Sequence, residues 1–297
     1  MEPISKELAN EIATRMGLPA GPLSHTQIDS YLHCPREYYY RYVVKLPRKG
    51  INPKLTIGGI AHVGLESVAR DKMSKTKPSV ERAHDAMLRA YRVVLVKEGK
   101  DLDARARTAL DAQFNSCSDI VEFFVNDELP EINPTCVEQN LTVLIAGIPI
   151  TMKIDLIHDN KRVIDHKITG RAKSEADAKN SLQLSIYAIA TGLKEVGFIS
   201  HKFPDLTTKK RWAPFITKNV VQKNPGDLRW AEEVVAGISK AILAKTFPHC
   251  DPGDWKCSVT NCDCWGVCRG KIQSELALPE TQEPGWLRGI TSRWTDL

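Results

Sequence analysis

The residues best suited to chemistry are Asp155, Asp165 and Lys167, in Lys153-Ile154-Asp155 and Ile164-Asp165-His166-Lys167. A turn centred on Asn160 would set positions 155 and 165 opposite one another in an antiparallel pair. Carboxylates so opposed, about 5 Å apart at Cβ, repel. A hard divalent cation offsets that repulsion, because Mg2+ is commonly held by one or two carboxylates together with water and phosphate oxygens. Lys167 returns to the face of Asp165 by strand alternation, where an ammonium orients or deprotonates a metal-bound water or stabilises charge on phosphate. With Lys153 the same charges also suit a solvated cross-strand ion network, so residue types alone leave both readings open. Gln183 and Tyr187 lie one helical turn apart downstream, and His62 offers an imidazole upstream on a helix face shared with Glu66.

A second constellation lies near the C-terminus. Five of the eight cysteines, Cys250, Cys257, Cys262, Cys264 and Cys268, fall within 19 residues. Such clustering in a chain without secretory features favours metal ligation over disulfides. Cys257, Cys262 and Cys268 have C-x4-C-x5-C spacing, and thiolates are soft ligands for zinc or iron–sulfur chemistry, where four complete a site. Cys250 or Cys264 could supply the fourth from nearby, giving a local zinc knuckle. Cys34, Cys117 and Cys136 are scattered, and a lone cysteine is most often a small buried apolar residue.

The elements that must hold these residues follow from hydrophobic period and from Pro and Gly punctuation. Residues 1–22 read as an arm or short helix ended by Pro19, Gly21 and Pro22. Ser24-His25-Thr26-Gln27 has capping-box form ahead of a helix that Pro35 interrupts, and Tyr38, Tyr39, Tyr40 and Tyr42 crowd the next stretch. Gly58 and Gly59 open a helix carrying His62, and two amphipathic helices over 79–97 and 103–126 keep the chain helical as far as Pro130. β-branched runs at 138–146, 148–158 and 162–168, parted by Gly147 and Asp159-Asn160-Lys161, predict a three-stranded antiparallel meander. A helix over 174–194, strands near 197–203 and 211–217, and a helix over 227–246 follow. The division is an arm (1–22), a helical region with His62 (23–130), an α/β core (131–246), a cysteine-rich segment (247–270) and a tail (271–297).

With 42% hydrophobic and 26% charged residues over 297 positions, the composition is that of a soluble globular protein and excludes disordered and fibrous classes. The longest uncharged apolar run, Leu141 to Met152, is too short to cross a bilayer, and no apolar signal core opens the chain. A reducing cytoplasm and no membrane partner are therefore expected. The net charge of +5 is local: residues 31–54 and 200–223 each carry six Lys/Arg against one acid. That pattern fits a surface that meets a polyanion, and equally a pair of solvated faces.

Taken in chain order, a set of motifs is shared with a known family: Leu23-Ser24-His25-Thr26-Gln27 followed by Cys34-Pro35-Arg36 and tyrosines; Gly59-Ile60-Ala61-His62; Gly147 before Ile154-Asp155; Ile164-Asp165-His166-Lys167; and Gln183 with Tyr187. With the cysteine cluster, these resemble the RecB-like branch of the PD-(D/E)XK nuclease superfamily, from about Leu23 to Arg269. That branch includes nuclease domains of RecB- and AddB-type helicase-nucleases, CRISPR adaptation exonucleases and phage exonucleases. The resemblance implies an α/β, restriction-endonuclease-like core, a central mixed sheet flanked by helices, with an N-terminal helical insertion and a Cys-rich C-terminal metal-cluster region.

It further implies that Asp155, Asp165 and His62 bind Mg2+ or Mn2+, with the carbonyl of Ile168 as an additional ligand. Lys167 would be the catalytic lysine, and Gln183 and Tyr187 would support the site and meet DNA. Asp165 stands where many relatives carry Glu, a variation the family pattern allows. Glu138 is a further candidate acid, though a solvated strand residue is its simpler role. In iron–sulfur members the fourth thiolate comes from the Cys-Pro of the N-terminal helix, so Cys34, Cys257, Cys262 and Cys268 would hold a 4Fe-4S cluster, with Zn2+ the alternative and Cys250 and Cys264 bystanders. The implied activity is metal-dependent DNA exonucleolysis at single-stranded or duplex ends, in phage or bacterial recombination, repair or CRISPR adaptation. Arg36, Arg41, Lys45, Lys209, Lys210 and Arg211 would grip phosphates, and a helicase, recombinase or CRISPR integrase would be the partner. The alternative is a catalytically weak DNA-binding or assembly subunit stabilised by its metal site.

Overall fold

Alternating β-branched residues build one sheet, seen in a computed structural model that describes residues 1–47, 53–98, 104–202 and 216–269. Among the described residues its strands are β1 (Leu23–Ser24), β2 (Pro134–Ile145), β3 (Ile148–His158), β4 (Arg162–Thr169), β5 (Glu195–Lys202) and β6 (Ile216–Gln222). β2, β3 and β4 form the expected antiparallel meander. β4 pairs Leu156↔Ile164, Ile157↔Val163 and His158↔Arg162, the register of a turn centred on Asn160. Asp159 and Asn160 both take positive φ there, the twist that a tight hairpin favours. β5 then lies parallel to β4, and β6 antiparallel to β5.

β3 is the organising strand. One of its edges is covered by β2, while the other is shared, with β1 at Ile150–Thr151 and β4 at Leu156–His158. Between those two neighbours, residues 152–155 have no strand partner on that edge among the described residues.

Helices cover both faces. On one side α1 (Lys6–Met16), α2 (His25–His33), α3 (Pro35–Tyr38), α8 (Leu182–Thr191) and α9 (Pro225–Leu243) surround a core containing Ile150, Ile154, Tyr38, Tyr39 and Phe247. On the other, α4 (Pro53–Met73), α5 (Val80–Glu98), α6 (Ala104–Phe123) and the helical turn after α6 pack Leu65, Met87, Val121 and Phe124 against Leu156, Ile164 and Ile199. α4 is held close to its neighbours at Gly64, where a Cβ would stand 2.6 Å from Met87 Sδ and 2.7 Å from Val121 Cγ2. No helix among the described residues is long and apolar enough to cross a membrane.

Several boundaries differ from expectation. α4 begins at Pro53, so Gly58 and Gly59 lie inside it. The buried Ile57, Ile60, Ala61 and Leu65 recur at helical spacing and outweigh the glycine pair. The single helix expected over 174–194 is two, α7 (Glu175–Lys179) and α8, because Ser181 Oγ accepts the Leu184 N–H and starts a new helix. β2 starts at Pro134; of the strand expected near 211–217, residues 211–215 lie outside the described residues, and Ile216 and Thr217 open β6.

Lys223, counted among the basic surface residues, is instead buried, its Nζ donating to the carbonyls of Ala178, Lys179 and Ser181. It caps the C-terminal end of α7, where a cation is favoured. Lys223→Ala should cost about 2–4 kcal/mol in urea unfolding, the loss of a charged donor to buried carbonyls. A loss below about 0.5 kcal/mol, the range of an ordinary surface substitution, would refute that role.

Candidate active site

Strand alternation breaks on β3 at Asp155. Ile150, Met152 and Ile154 face the α8 side, whereas Leu156 faces α4 and Ile157 returns to the α8 side. Across the sheet, between the pairs Val137↔Leu156 and Gln139↔Ile154, Glu138 has φ +53°. A left-handed non-glycine residue in mid-strand costs about 1–2 kcal/mol and marks a place where the chain is held against its preference. The unpaired edge of β3 is satisfied by side chains and loops rather than a strand. Tyr187 OH donates to the Lys153 carbonyl at 2.9 Å, and the Asp155 carboxylate accepts the His166 N–H at 2.8 Å.

On β4, Asp165 and Lys167 face α8, and His166 between them faces α4. Lys167 Nζ lies 2.7 Å from Asp165 Oδ2 and donates to Gln183 Oε1 at 2.9 Å. Gln183 Nε2 donates to Asp165 Oδ1 at 2.7 Å and to Tyr187 OH at 2.8 Å. Asp165, Lys167, Gln183 and Tyr187 therefore form a closed network, anchored to β3 through Tyr187. The one-turn spacing of Gln183 and Tyr187 lets one amide serve both ends of it. Asp165 is 2% exposed, so the carboxylate is fixed rather than solvated.

Beside this network, His62, Glu138 and Asp155 bring ligand atoms within 4.8 Å of one another. His62 Nδ1 is 3.6 Å from Asp155 Oδ2, and Lys153 is ion-paired to Glu138. Burial, then the charges of Asp165 and Glu138, hold the Asp155 carboxyl well above the usual carboxylate range. Burial also raises Glu138, against the pull of Lys153. Desolvation lowers His62, keeping its imidazole neutral, the form that ligates metal. Burial leads all three shifts; for Asp155 and Glu138 neighbouring carboxylates add to it, and a divalent cation would relieve that repulsion.

Glu138 corrects the sequence reading. Its side chain is 5% exposed, not solvated; neither period nor residue type reports a left-handed φ, although its position ahead of Gly147 and opposite Asp155 was available. The Ile168 side chain packs into the α4-side core, and the backbone that meets both Asp155 and His62 is that of His166. The His166 ring is anchored on the far side of the sheet by a 2.9 Å hydrogen bond between its Nδ1 and His201 Nε2, with Phe124 edge-on to both. Burial depresses both histidines, His201 to about 3, so the pair stays neutral. His25, read only as part of a helix cap, lies close enough for Lys167 and Asp165 to act on its ring.

The basic residues divide. Arg41 is committed to Glu37 at 3.0 Å and Asp263 at 3.2 Å, and Lys218 pairs with Glu128 at 3.4 Å. Arg36 lies over the Tyr39 ring, 5.8 Å from its centroid, and Lys45 is exposed. Lys209, Lys210 and Arg211 lie outside the described residues. Tyr38 and Tyr39 are buried against Phe247, which makes them core residues.

Cys34, at the junction of α2 and α3, is brought to the C-terminal cysteines, and six thiols line one pocket: Cys34, Cys250, Cys257, Cys262, Cys264 and Cys268. Cys250 and Cys264, expected to be bystanders, stand in that pocket with the others. Cys34 Sγ accepts the Glu37 N–H at 3.4 Å. The Cys264 thiol donates to Cys262 and draws it down to about 7. Four or more convergent thiols, one already inclined to thiolate, are a donor set that fits a soft metal or an iron–sulfur cluster. α10 (Trp265–Cys268) carries the last of them.

No curated protein matches the chain in sequence. The crystal structure of a "Putative exonuclease" from Eubacterium rectale has a similar fold, with a TM-score of 0.54 at 10% identity, covering 88% of this chain and 92% of that one. A family model described as the PD-(D/E)XK nuclease superfamily matches residues 22–269, a span that contains the mixed sheet, the Asp165-His166-Lys167 strand and the thiol pocket. With that match over most of its length, the chain belongs to the PD-(D/E)XK nuclease superfamily.

Proposed function

We propose that the protein is a metal-dependent DNA exonuclease of the RecB-like branch. The observation that carries this reading is the closed network of Asp165, Lys167, Gln183 and Tyr187 set against the His62, Glu138 and Asp155 trio. Asp155, Asp165 and His62, with Glu138 and the backbone of His166, would hold Mg2+ or Mn2+. When bound, such an ion lowers the pKa of water and offsets charge on the phosphate. Asp165 and Gln183 hold the Lys167 ammonium in one place, so that it meets the attacking water or a phosphate oxygen without searching. Tyr187 and Gln183 fix the helix α8 to the site, and His166 fixes the Asp155 carboxylate.

Phosphate contacts fall to Arg36, Lys45 and the 209–211 stretch, while Arg41 serves the protein itself. The thiol pocket would hold a 4Fe-4S cluster through Cys34, Cys257, Cys262 and Cys268, with zinc as the alternative. The organisation proposed is an arm (1–22), a helical region (23–130), the nuclease core (131–246), a cluster-binding segment (247–270) and a tail (271–297). The setting would be bacterial or phage DNA recombination, repair or CRISPR adaptation, with a helicase, recombinase or integrase partner.

The test is hydrolysis of end-labelled single-stranded, duplex and circular DNA with Mg2+ or Mn2+. Mononucleotide or short-oligonucleotide release from ends, with circles spared, is expected. Cleavage of circles would make it an endonuclease, and inert wild type that still binds DNA would make it an assembly subunit.

A linkage effect accompanies the site. A carboxyl with a raised folded pKa contributes stability that is present at low pH and lost as pH rises through that pKa. Metal-free protein should therefore lose stability as pH climbs from the ordinary carboxylate range, and Mn2+ should restore it. At 100 times Kd the gain is about 2.7 kcal/mol. Thermal unfolding in Mn2+ against EDTA should show a shift that grows with pH in wild type and is smaller and less steep in Asp155→Asn, where Glu138 still titrates; a shift independent of pH in wild type would disprove it.

A further inference from the structure

The thiol pocket holds two more cysteines than a four-ligand site uses, and they are not equivalent. Both line the pocket, but the Cys264 thiol interacts chiefly with Cys262, whereas the Cys250 thiol stands against Cys34 and Cys257. Those two come from opposite ends of the chain. Cys250 is also placed to move. It is half-buried, belongs to no helix or strand, and precedes a hydrogen-bonded turn in which the Asp254 N–H donates to the Asp251 carbonyl at 3.0 Å. Cys34, by contrast, is fixed at the start of α3, and its sulfur accepts a backbone N–H.

We infer that Cys250 is a reserve ligand of this pocket, able to replace either Cys34 or Cys257 when one of them is lost. The inference rests on the proposal that the pocket holds an iron–sulfur cluster. The exchange needs no oxidant or reductant. The Cys250 thiol gives its proton to solvent, and its thiolate forms the iron–sulfur bond that the missing residue would have made. An iron left without its one protein thiolate would provide the driving force, since cluster ligands are thiolates and an open iron takes the nearest one. Cys250 stands against Cys34 and Cys257 in the shared pocket, and the reserve role is proposed for those two positions alone.

The test is iron and acid-labile sulfide per chain, with visible absorbance, in anaerobically purified full-length variants whose folding is checked by circular dichroism. Cys250→Ala alone should match wild type. Cys34→Ala and Cys257→Ala should each keep at least about half of the wild-type iron, whereas either one combined with Cys250→Ala, and Cys268→Ala alone, should fall to about a tenth or less. If Cys34→Ala unfolds through loss of its helix cap, the Cys257→Ala pair carries the comparison unaided. Single variants as empty as the doubles would overturn the reserve role, as would doubles or Cys268→Ala that keep their iron. Wild type containing zinc and no iron would remove the cluster reading itself, an outcome distinct from these.

Discussion

Asp165→Asn is expected to lower the DNA hydrolysis rate by about a thousand-fold or more while leaving the fold intact. Its carboxylate is 2% exposed and holds Lys167 at 2.7 Å and the Gln183 amide at 2.7 Å. Asparagine keeps the shape and an acceptor for Gln183 but removes the charge that both a metal and Lys167 require. The stability consequence runs the other way. Asp165 is one of the charges pushing the Asp155 carboxyl upward, so its neutralisation relieves repulsion, and melting in EDTA at neutral pH should be unchanged or higher. Lys167→Met separates the two roles. It should lose a comparable factor in rate yet keep the Mn2+ thermal shift, which Asp165→Asn should weaken. Activity surviving both substitutions would remove this site from the mechanism.

With the proposed soft metal in the thiol pocket, stripping it should release the segment around residues 249–268 and lower global stability by about 5 kcal/mol, the loop-closure contribution of a link that spans most of the chain. Little else holds that segment. Between His249 and Arg269 the buried residues are Cys264 and Gly266. Its ion pairs to the N-terminal helices are Arg41 with Asp263 at 3.2 Å, partly exposed and of the kind that contributes about 0–1 kcal/mol, and Lys256 at 3.5 Å from Glu37, a buried carboxylate that Arg41 already pairs. Protease cleavage within 249–268 should appear on chelation under reducing conditions while the sheet core resists. A stripped protein with unchanged protease resistance and melting temperature would show that the thiols contribute no metal staple.

The contrast between what could and could not be read in advance follows physical range. The pairing of β3 with β4 was legible because alternation and the three-residue turn Asp159-Asn160-Lys161 admit one register, and a slip by one would expose a whole core face. Asp165 and Lys167 share a face for the same reason, and Gln183 and Tyr187 by the helical turn. The left-handed Glu138 was not legible, since nothing local favours that φ in a strand; it is imposed by what packs around β2 and β3. Nor was the division of the basic residues. Arg41 and Lys223 carry the same charge as Lys45, but Asp263 and the buried C-terminal end of α7 claimed them across distances in the chain that no spacing rule covers.

By itself, then, the sequence determined the short-range facts about this protein: which residues alternate, where turns fall, which pairs share a face, and that thiols cluster near one end. Tertiary structure alone decided which charges are buried together and which are spent on the protein itself. It put Glu138 beside His62 and Asp155, brought Cys34 to the C-terminal cysteines, and set Cys250 between Cys34 and Cys257. The reason is that burial, and the repulsion or affinity it creates, depends on neighbours distant in sequence, whereas period and capping depend only on the next few residues.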